Sequence, residues 1–367
     1  MIGRVAPVRP RQYRQKEGRT HLGYPYRYLE PVMPRIPDRV SNCALYLYKT
    51  REAALAGERG GATAFCTYLP AENPTLRFFN GAHFYVVTAR HVIGGGGTFL
   101  RVNTRQDRPA GVAAGPADVV EIPAESWVPH PDGDDVTVSP LILELDENVH
   151  DVRGFPWSIA ATPDDVRDEN IGRGDEAFFI GRFMGADGGA RNEPSVRFGN
   201  IAMLPTPIRS ETGIMQESFL VEARSIGGYS GSPVFTYKAG VLTDTGEVDP
   251  YASSKLRFLG VDWCHLPDWQ PVMQDDKRTP VVPPQWARGN TGMAGVVPAW
   301  KVTQLLQEPI LEKSRKDDEA ERLREVGAPE AVSDMEADDE FGHFENLTRK
   351  LVNTPKTEID EKRKGDS

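Results

Sequence analysis

Cysteine is scarce: Cys43, Cys66 and Cys264 are the only three in 367 residues. They are odd in number, far apart and never arranged Cys-x-x-Cys. That excludes a disulfide framework and a zinc-ribbon or thioredoxin-like motif, and predicts buried free thiols in a reducing compartment. No run approaches the ~20 apolar residues of a membrane span. The stretch Met1 to Pro7 has no apolar signal-peptide core, so a cytoplasmic protein without a membrane partner is expected. Basic residues are outnumbered, 43 Lys and Arg against 53 Asp and Glu for a net charge of −10. A general nucleic-acid binder would be basic, so no nucleic-acid partner is expected. The glycine run Gly94 to Gly97 lacks the following Lys and Ser/Thr of a phosphate-binding loop. No His-Glu-x-x-His or Cys/His cluster supports His130, His150 or His265 as metal ligands, so these are ordinary surface or strand-end histidines. No metal and no cofactor is expected.

Against these absences stand many short apolar runs. Hydrophobic residues make up 39% of the chain, enough for one large or two ordinary cores. Segments 43–48, 62–68 and 82–88 alternate apolar and β-branched or aromatic residues and are separated by glycine-rich turns. After a connector at 155–168, strands are predicted at 177–181, 196–202, 219–222, 233–237 and 256–263. Regular spacing of this kind indicates barrels or sandwiches rather than βαβ units. Residues 298–306 have helical spacing, 311–326 form a polar helix, and 334–340 are acidic. Phe341, Phe344, Leu347 and Leu351 then mark one apolar helical stripe, which could dock a regulatory protein partner or pack back on the chain. Residues 1–40 are basic and rich in proline and tyrosine. The prolines favour an extended arm over a single-strand-binding face.

Three motifs carry chemistry: Val86-Val87-Thr88-Ala89-Arg90-His91, then Asp134-Asp135-Val136-Thr137-Val138, then Gly227-Gly228-Tyr229-Ser230-Gly231-Ser232-Pro233. A serine hydroxyl is a weak nucleophile at neutral pH. It needs a base within hydrogen-bond reach, and the base needs orienting. Glycines beside the serine let backbone N–H groups converge on one point, as an oxyanion site requires.

In their order, histidine then aspartate then serine, and in their gaps of about 44 and about 95 residues, the motifs resemble those of the trypsin-like (chymotrypsin-fold) serine peptidases. The likeness is nearest to the bacterial HtrA-type branch, without its PDZ module. It implies an all-β fold of two six-stranded antiparallel β-barrels with a C-terminal helix and a charged helical tail. The peptidase domain would span 41–306, with one barrel at about 41–150 and the other at about 172–306, between an N-terminal extension 1–40 and a tail 307–367. The activity implied is endopeptidase cleavage of a polypeptide substrate. Ser230 would be the nucleophile, His91 the base, and Asp135 the orienting acid. Asp134 competes for that last role; the position of Asp135 directly before Val136-Thr137-Val138 matches the family motif. The N–H groups of Gly228 and Ser230 would form the oxyanion hole.

The same likeness implies that Asp262, Trp263 and Cys264 form a substrate-pairing edge and that Gly292 lies in the wall of the primary pocket. Arg224 falls near the pocket floor by a simple count, and whether it points inward depends on loop length. Two departures matter: Tyr229 stands where the digestive enzymes carry the aspartate that receives a newly cut N-terminus, and Cys264 replaces a usual glycine. An inactive or partner-activated domain of the same fold, binding peptides or proteins, is the alternative these departures leave open.

Overall fold

The structure is a computed structural model. It describes residues 17–19, 25–27, 36, 38–78, 81–105, 116–141, 149–183, 189, 191–209, 213, 215–223, 228–238, 241–242, 248–249, 255–274 and 279–325. The acidic run 334–340, the stripe from Phe341 to Leu351 and Arg224 lie outside the described residues.

The first half opens with β1 (Ala44–Tyr48), helix α1 (Arg51–Ala56), β2 (Ala62–Pro70), the short helix α2 (Pro74–Phe78) and β3 (Ala82–Thr88). Helix α3 (Arg90–Gly94) follows β3 directly, and then come β4 (Phe99–Asn103), β5 (Ala117–Glu121), β6 (Val128–Pro129) and β7 (Thr137–Pro140). These strands pair in the order β5-β4-β1-β2-β3-β7-β6. All these pairings are antiparallel, as expected, and among the described residues they run as one path of seven strands. β1 is entirely buried along its length, because the sheet curls over a core on one face while Arg101 and two tyrosines fill the other.

The connector at 155–168 is more than a linker. Phe155–Pro156 forms β8, which pairs parallel to β2, and Phe155 is fully buried. Its ring lies 5.6 Å from Phe65 of the first half and 5.1 Å from Phe235 of the second, so it sits in the apolar seam joining them. Burial of a side chain this size is worth roughly 1.5–3 kcal/mol. Thr162-Pro163-Asp164-Asp165 then starts helix α4 (Pro163–Asp168) with a capping box, in which Thr162 and Asp165 satisfy one another's backbone N–H groups.

The second half is β9 (Glu176–Gly181), β10 (Ser195–Arg209), β11 (Met215–Glu222), β12 (Pro233–Lys238), β13 (Lys255–Pro271) and β14 (Trp286–Pro298). Each pairs antiparallel with two others in the cycle β9-β10-β11-β14-β13-β12, and β12 returns to β9. This is the expected six-stranded barrel. β10, β13 and β14 run beyond the lengths that their apolar cores suggest, because their outer ends are largely exposed or half-buried ribbons, while β11 is extended by the buried polar residues Gln216 and Ser218.

Helix α5 (Ala299–Leu306) packs four residues, Ala299, Val302, Leu305 and Leu306, into the main core. Helix α6 (Pro309–Glu325), expected as part of a charged tail, lies against the first sheet. Arg315 Nη1 donates to the Tyr85 hydroxyl at 3.0 Å, and Glu319 accepts from the N–H groups of Glu72 and Asn73 at 2.6 and 2.9 Å. Among the described residues, no helix is long and apolar enough to cross a membrane.

Candidate active site

β3 ends at Thr88, and the chain turns at once into α3, so His91 projects from a helix rather than from the strand end. Its main-chain N–H donates to Asp135 Oδ1 at 2.8 Å, and its ring Nδ1–H donates to Asp135 Oδ2 at 2.7 Å. One carboxylate thus fixes both the backbone and the ring. Nδ1 carries the proton and Nε2 is left as the basic atom. Asp135 is buried while the His91 side chain is 48% exposed, so the acid sits in the protein and the base faces outward.

The competing acid, Asp134, points elsewhere. Its Oδ1 accepts from Gln216 Nε2 at 2.9 Å, and its Oδ2 faces Lys301 Nζ at 3.0 Å and His130 Nδ1 at 3.2 Å. Of the two adjacent carboxylates, Asp135 alone engages His91. His130, read in the sequence as an ordinary histidine, also bonds Gln304 of α5 through Nε2 at 2.9 Å, while His150 faces Asp118.

Ser230 lies in the turn between β11 and β12. Its carbonyl accepts from Thr63 N–H at 3.0 Å, and the Gly228 carbonyl accepts from Thr63 Oγ1 at 2.7 Å. Thr63 belongs to β2, so the first half grips the serine turn of the second. Gly231 makes the grip possible. At φ +87° it takes a backbone form that side chains disfavour, and a Cβ there would lie 2.1 Å from Thr63 O and 2.2 Å from Thr88 Oγ1. The turn is therefore seated on Thr88, three residues before His91. The structure brings the serine turn and the His91–Asp135 pair together, without a hydrogen bond between Ser230 Oγ and His91 Nε2. Such bonds are often long before substrate arrives.

Among the described residues, the N–H groups of Gly228 and Ser230 donate to nothing. With Gly228 at φ +99°, two unsatisfied donors flank the serine, the arrangement an oxyanion site needs. Tyr229 between them is fully buried, and its hydroxyl hydrogen-bonds Ser195 Oγ. Arg197 lies 5.1 Å over its ring.

The predicted substrate edge is partly used by the protein itself. Asp262 O accepts from Gly231 N–H at 2.7 Å and Asp262 N–H donates to Ser232 O at 2.9 Å. Trp263 is turned into the core, where its Nε1–H donates to Ser218 Oγ at 2.9 Å. Cys264 is partly buried on the continuing strand. Gly292, at φ +79° on β14, accepts from Ala223 N–H at 2.8 Å and has open space around its Cα. Sequence reasoning missed Thr63, Gln216 and Lys301. Each lies in an ordinary strand or helix pattern, and only the pairing of the two halves brings them to the site.

No protein-family model and no curated protein matches the chain. Among solved structures it is similar to the MamO protease domain from Magnetospirillum magneticum, at 13% identity and a TM-score of 0.38 over 74% of this chain and 98% of that one. It is also similar to the Rv3671c protease from M. tuberculosis in its active form, at 15% identity and a TM-score of 0.36 over 76% of this chain and 92% of that one. The fold read from the strands themselves is all-β, with one closed six-stranded antiparallel barrel. The His91–Asp135 pair belongs to the first half and the Ser230 turn to the second.

Proposed function

We propose that the chain is a cytoplasmic serine endopeptidase that cleaves a polypeptide through an acyl-enzyme. The two hydrogen bonds from His91 to Asp135, facing a serine turn seated on Thr88, carry this reading. Ser230 Oγ attacks the scissile carbonyl while His91 Nε2 takes its proton. Asp135 holds the Nδ1–H tautomer and stabilises the imidazolium. The oxyanion accepts from the N–H groups of Gly228 and Ser230, and losing one such donor costs ~2.7–4 kcal/mol of transition-state stabilisation. As the intermediate collapses, the C–N bond breaks and His91 returns the proton to the leaving amine. Water then repeats the sequence on the ester and frees Ser230. Cys264, on the strand that continues from Asp262 and Trp263, and Gly292 on β14 form the substrate side of the site.

The test is intact mass after exposure to a fluorophosphonate probe. A single adduct on the wild-type chain that is absent from Ser230→Ala and His91→Ala supports the assignment. A wild-type adduct that persists in Ser230→Ala overturns it.

A further inference from the structure

Gln216 is polar, 1% exposed and far in sequence from all three motifs, yet it touches both acidic side chains' residues. From β11 its Oε1 accepts the Asp135 N–H at 2.7 Å, and its Nε2 donates to Asp134 Oδ1 at 2.9 Å and to the Glu217 carbonyl at 3.0 Å. Its strand belongs to the closed barrel of the second half; Asp134 and Asp135 belong to the first half. Two adjacent buried carboxylates repel one another unless each is given its own partners. Here one face of a single amide accepts from the Asp135 backbone while the other donates to Asp134. Lys301 of α5 supplies the opposite charge for Asp134, and Lys301 Nζ and His130 Nδ1 both face its Oδ2 without hydrogen-bonding alignment. Glu217 stands 3.9 Å beyond Lys301.

We propose that Gln216 is a positioning residue for the Asp135–His91 pair, holding the Asp135 backbone in register and turning Asp134 away toward Lys301 and the terminal helix. The inference rests on the role given to Asp135 in the proposed function. The requirement is for an amide specifically. Methionine fills the same volume with neither bond. Glutamate keeps an acceptor for Asp135 N–H but sets a third carboxylate oxygen against Asp134 Oδ1.

The experiment uses the full chain, with histidine-selective NMR titration of the His91 ring and second-order labelling by the fluorophosphonate probe. For Gln216→Met, labelling is expected to fall roughly 10- to 100-fold, the scale of a small misplacement of a reacting group. The His91 titration midpoint moves down, because a displaced Asp135 stabilises the imidazolium less. Affinity for a reversible peptide aldehyde changes far less than the labelling rate. Gln216→Glu shows the same defect, and the double variant Gln216→Glu/Asp134→Asn regains most of the rate, since the amide and carboxylate have exchanged places. A role in packing alone would lower the melting temperature yet leave the His91 titration unmoved, and that result in both single variants overturns the proposal. Should Gln216→Met fail to fold, the glutamate variant and its rescue decide the matter, and absence of rescue overturns it. A wild-type chain inert to the probe would sink the peptidase reading, while the His91 titration still tests Gln216.

Discussion

Thr63 Oγ1 donates to the carbonyl of Gly228 at 2.7 Å while Thr63 N–H donates to the carbonyl of Ser230 at 3.0 Å. The same hydroxyl accepts from Arg182 N–H at 3.0 Å, and the Thr63 carbonyl accepts from Thr88 Oγ1 at 2.8 Å. One residue of β2 therefore touches the serine turn, the end of β9 and the strand that leads to His91. Two carbonyls of the turn are thus held by one residue from outside it.

Thr63→Val keeps the shape and removes the hydroxyl. The Arg182 N–H and the Gly228 carbonyl then lose a partner in a buried place, at a cost of ~1–3 kcal/mol. Chemical denaturation should show that loss with an unchanged slope. Labelling by the fluorophosphonate probe should slow well below the melting transition, because the Gly228 carbonyl is no longer tied. A variant as reactive as wild type would mean that the turn keeps its form without Thr63.

The all-β class, most strand positions and the identity of the three motifs were legible in the residues, since strands such as Ala82–Thr88 alternate visibly and end in glycine turns. The choice of Asp135 over Asp134 rested on one neighbouring pattern, and the geometry separates the two by their partners. What was illegible depends on contact between distant segments. Nothing around Thr63 marks it as the clamp of a turn 165 positions away. The burial of Phe155 depends on two aromatic residues from other strands. The docking of α6 was hidden because its buried side runs Leu311, Arg315, Glu319, Leu323, with two charged residues in the middle, so the helix shows no continuous apolar stripe, and an apolar stripe is what periodicity detects.

Tyr229→Phe tests how the serine turn is held without the ion pair used by the digestive enzymes. The ring stays in its apolar seat, while the hydroxyl bond to Ser195 is lost. A neutral hydrogen bond of this kind contributes roughly 0.5–1.5 kcal/mol, which for a chain this size lowers Tm by about 2–4 °C or less per kcal/mol. The expected outcome is a small fall in Tm with a clearly slower reaction of Ser230. Equal rates would show that the ring alone orders the turn.

The three thiols should separate by reactivity. Burial pushes the Cys66 thiol up to about 12. It raises the neighbouring Cys43 as well, where burial is the larger cause and the proximity of Cys66 adds to it. Neither forms thiolate at pH 8, and only the thiolate reacts readily. Cys264 is partly exposed on β13. Iodoacetamide on the native chain at pH 8 should therefore modify one cysteine quickly, Cys264 by peptide mapping, and all three in denaturant. Rapid native labelling of Cys43 or Cys66 would contradict the packing of β1 against β2.

The docking of α6 should weaken in acid. His83 lies between two carboxylates of that helix, with Nδ1 3.1 Å from Asp318 and Nε2 2.8 Å from Glu319. Nε2 is the hydrogen-bonded ring atom, and Asp318 Oδ2 faces Nδ1 without hydrogen-bonding alignment. Burial alone would raise the Glu319 carboxyl. The His83 hydrogen bond and the N–H groups of Glu72 and Asn73 outweigh it, and the group is held below its ordinary value. A carboxyl whose folded pKa is depressed binds fewer protons folded than unfolded. Its contribution is complete above the unfolded value of about 4.3 and disappears as pH falls through the lower folded value. Protection against hydrogen exchange along 309–325, taken relative to the intrinsic rate at each pH, should therefore fall below about pH 4, before that of the closed barrel's strands. Glu319→Gln keeps the shape but removes the titration, so its α6 should already exchange faster at neutral pH and change less on acidification. If wild type and Glu319→Gln exchange alike from pH 7 down to about pH 3, the helix is held by Arg315 and the α5 junction instead.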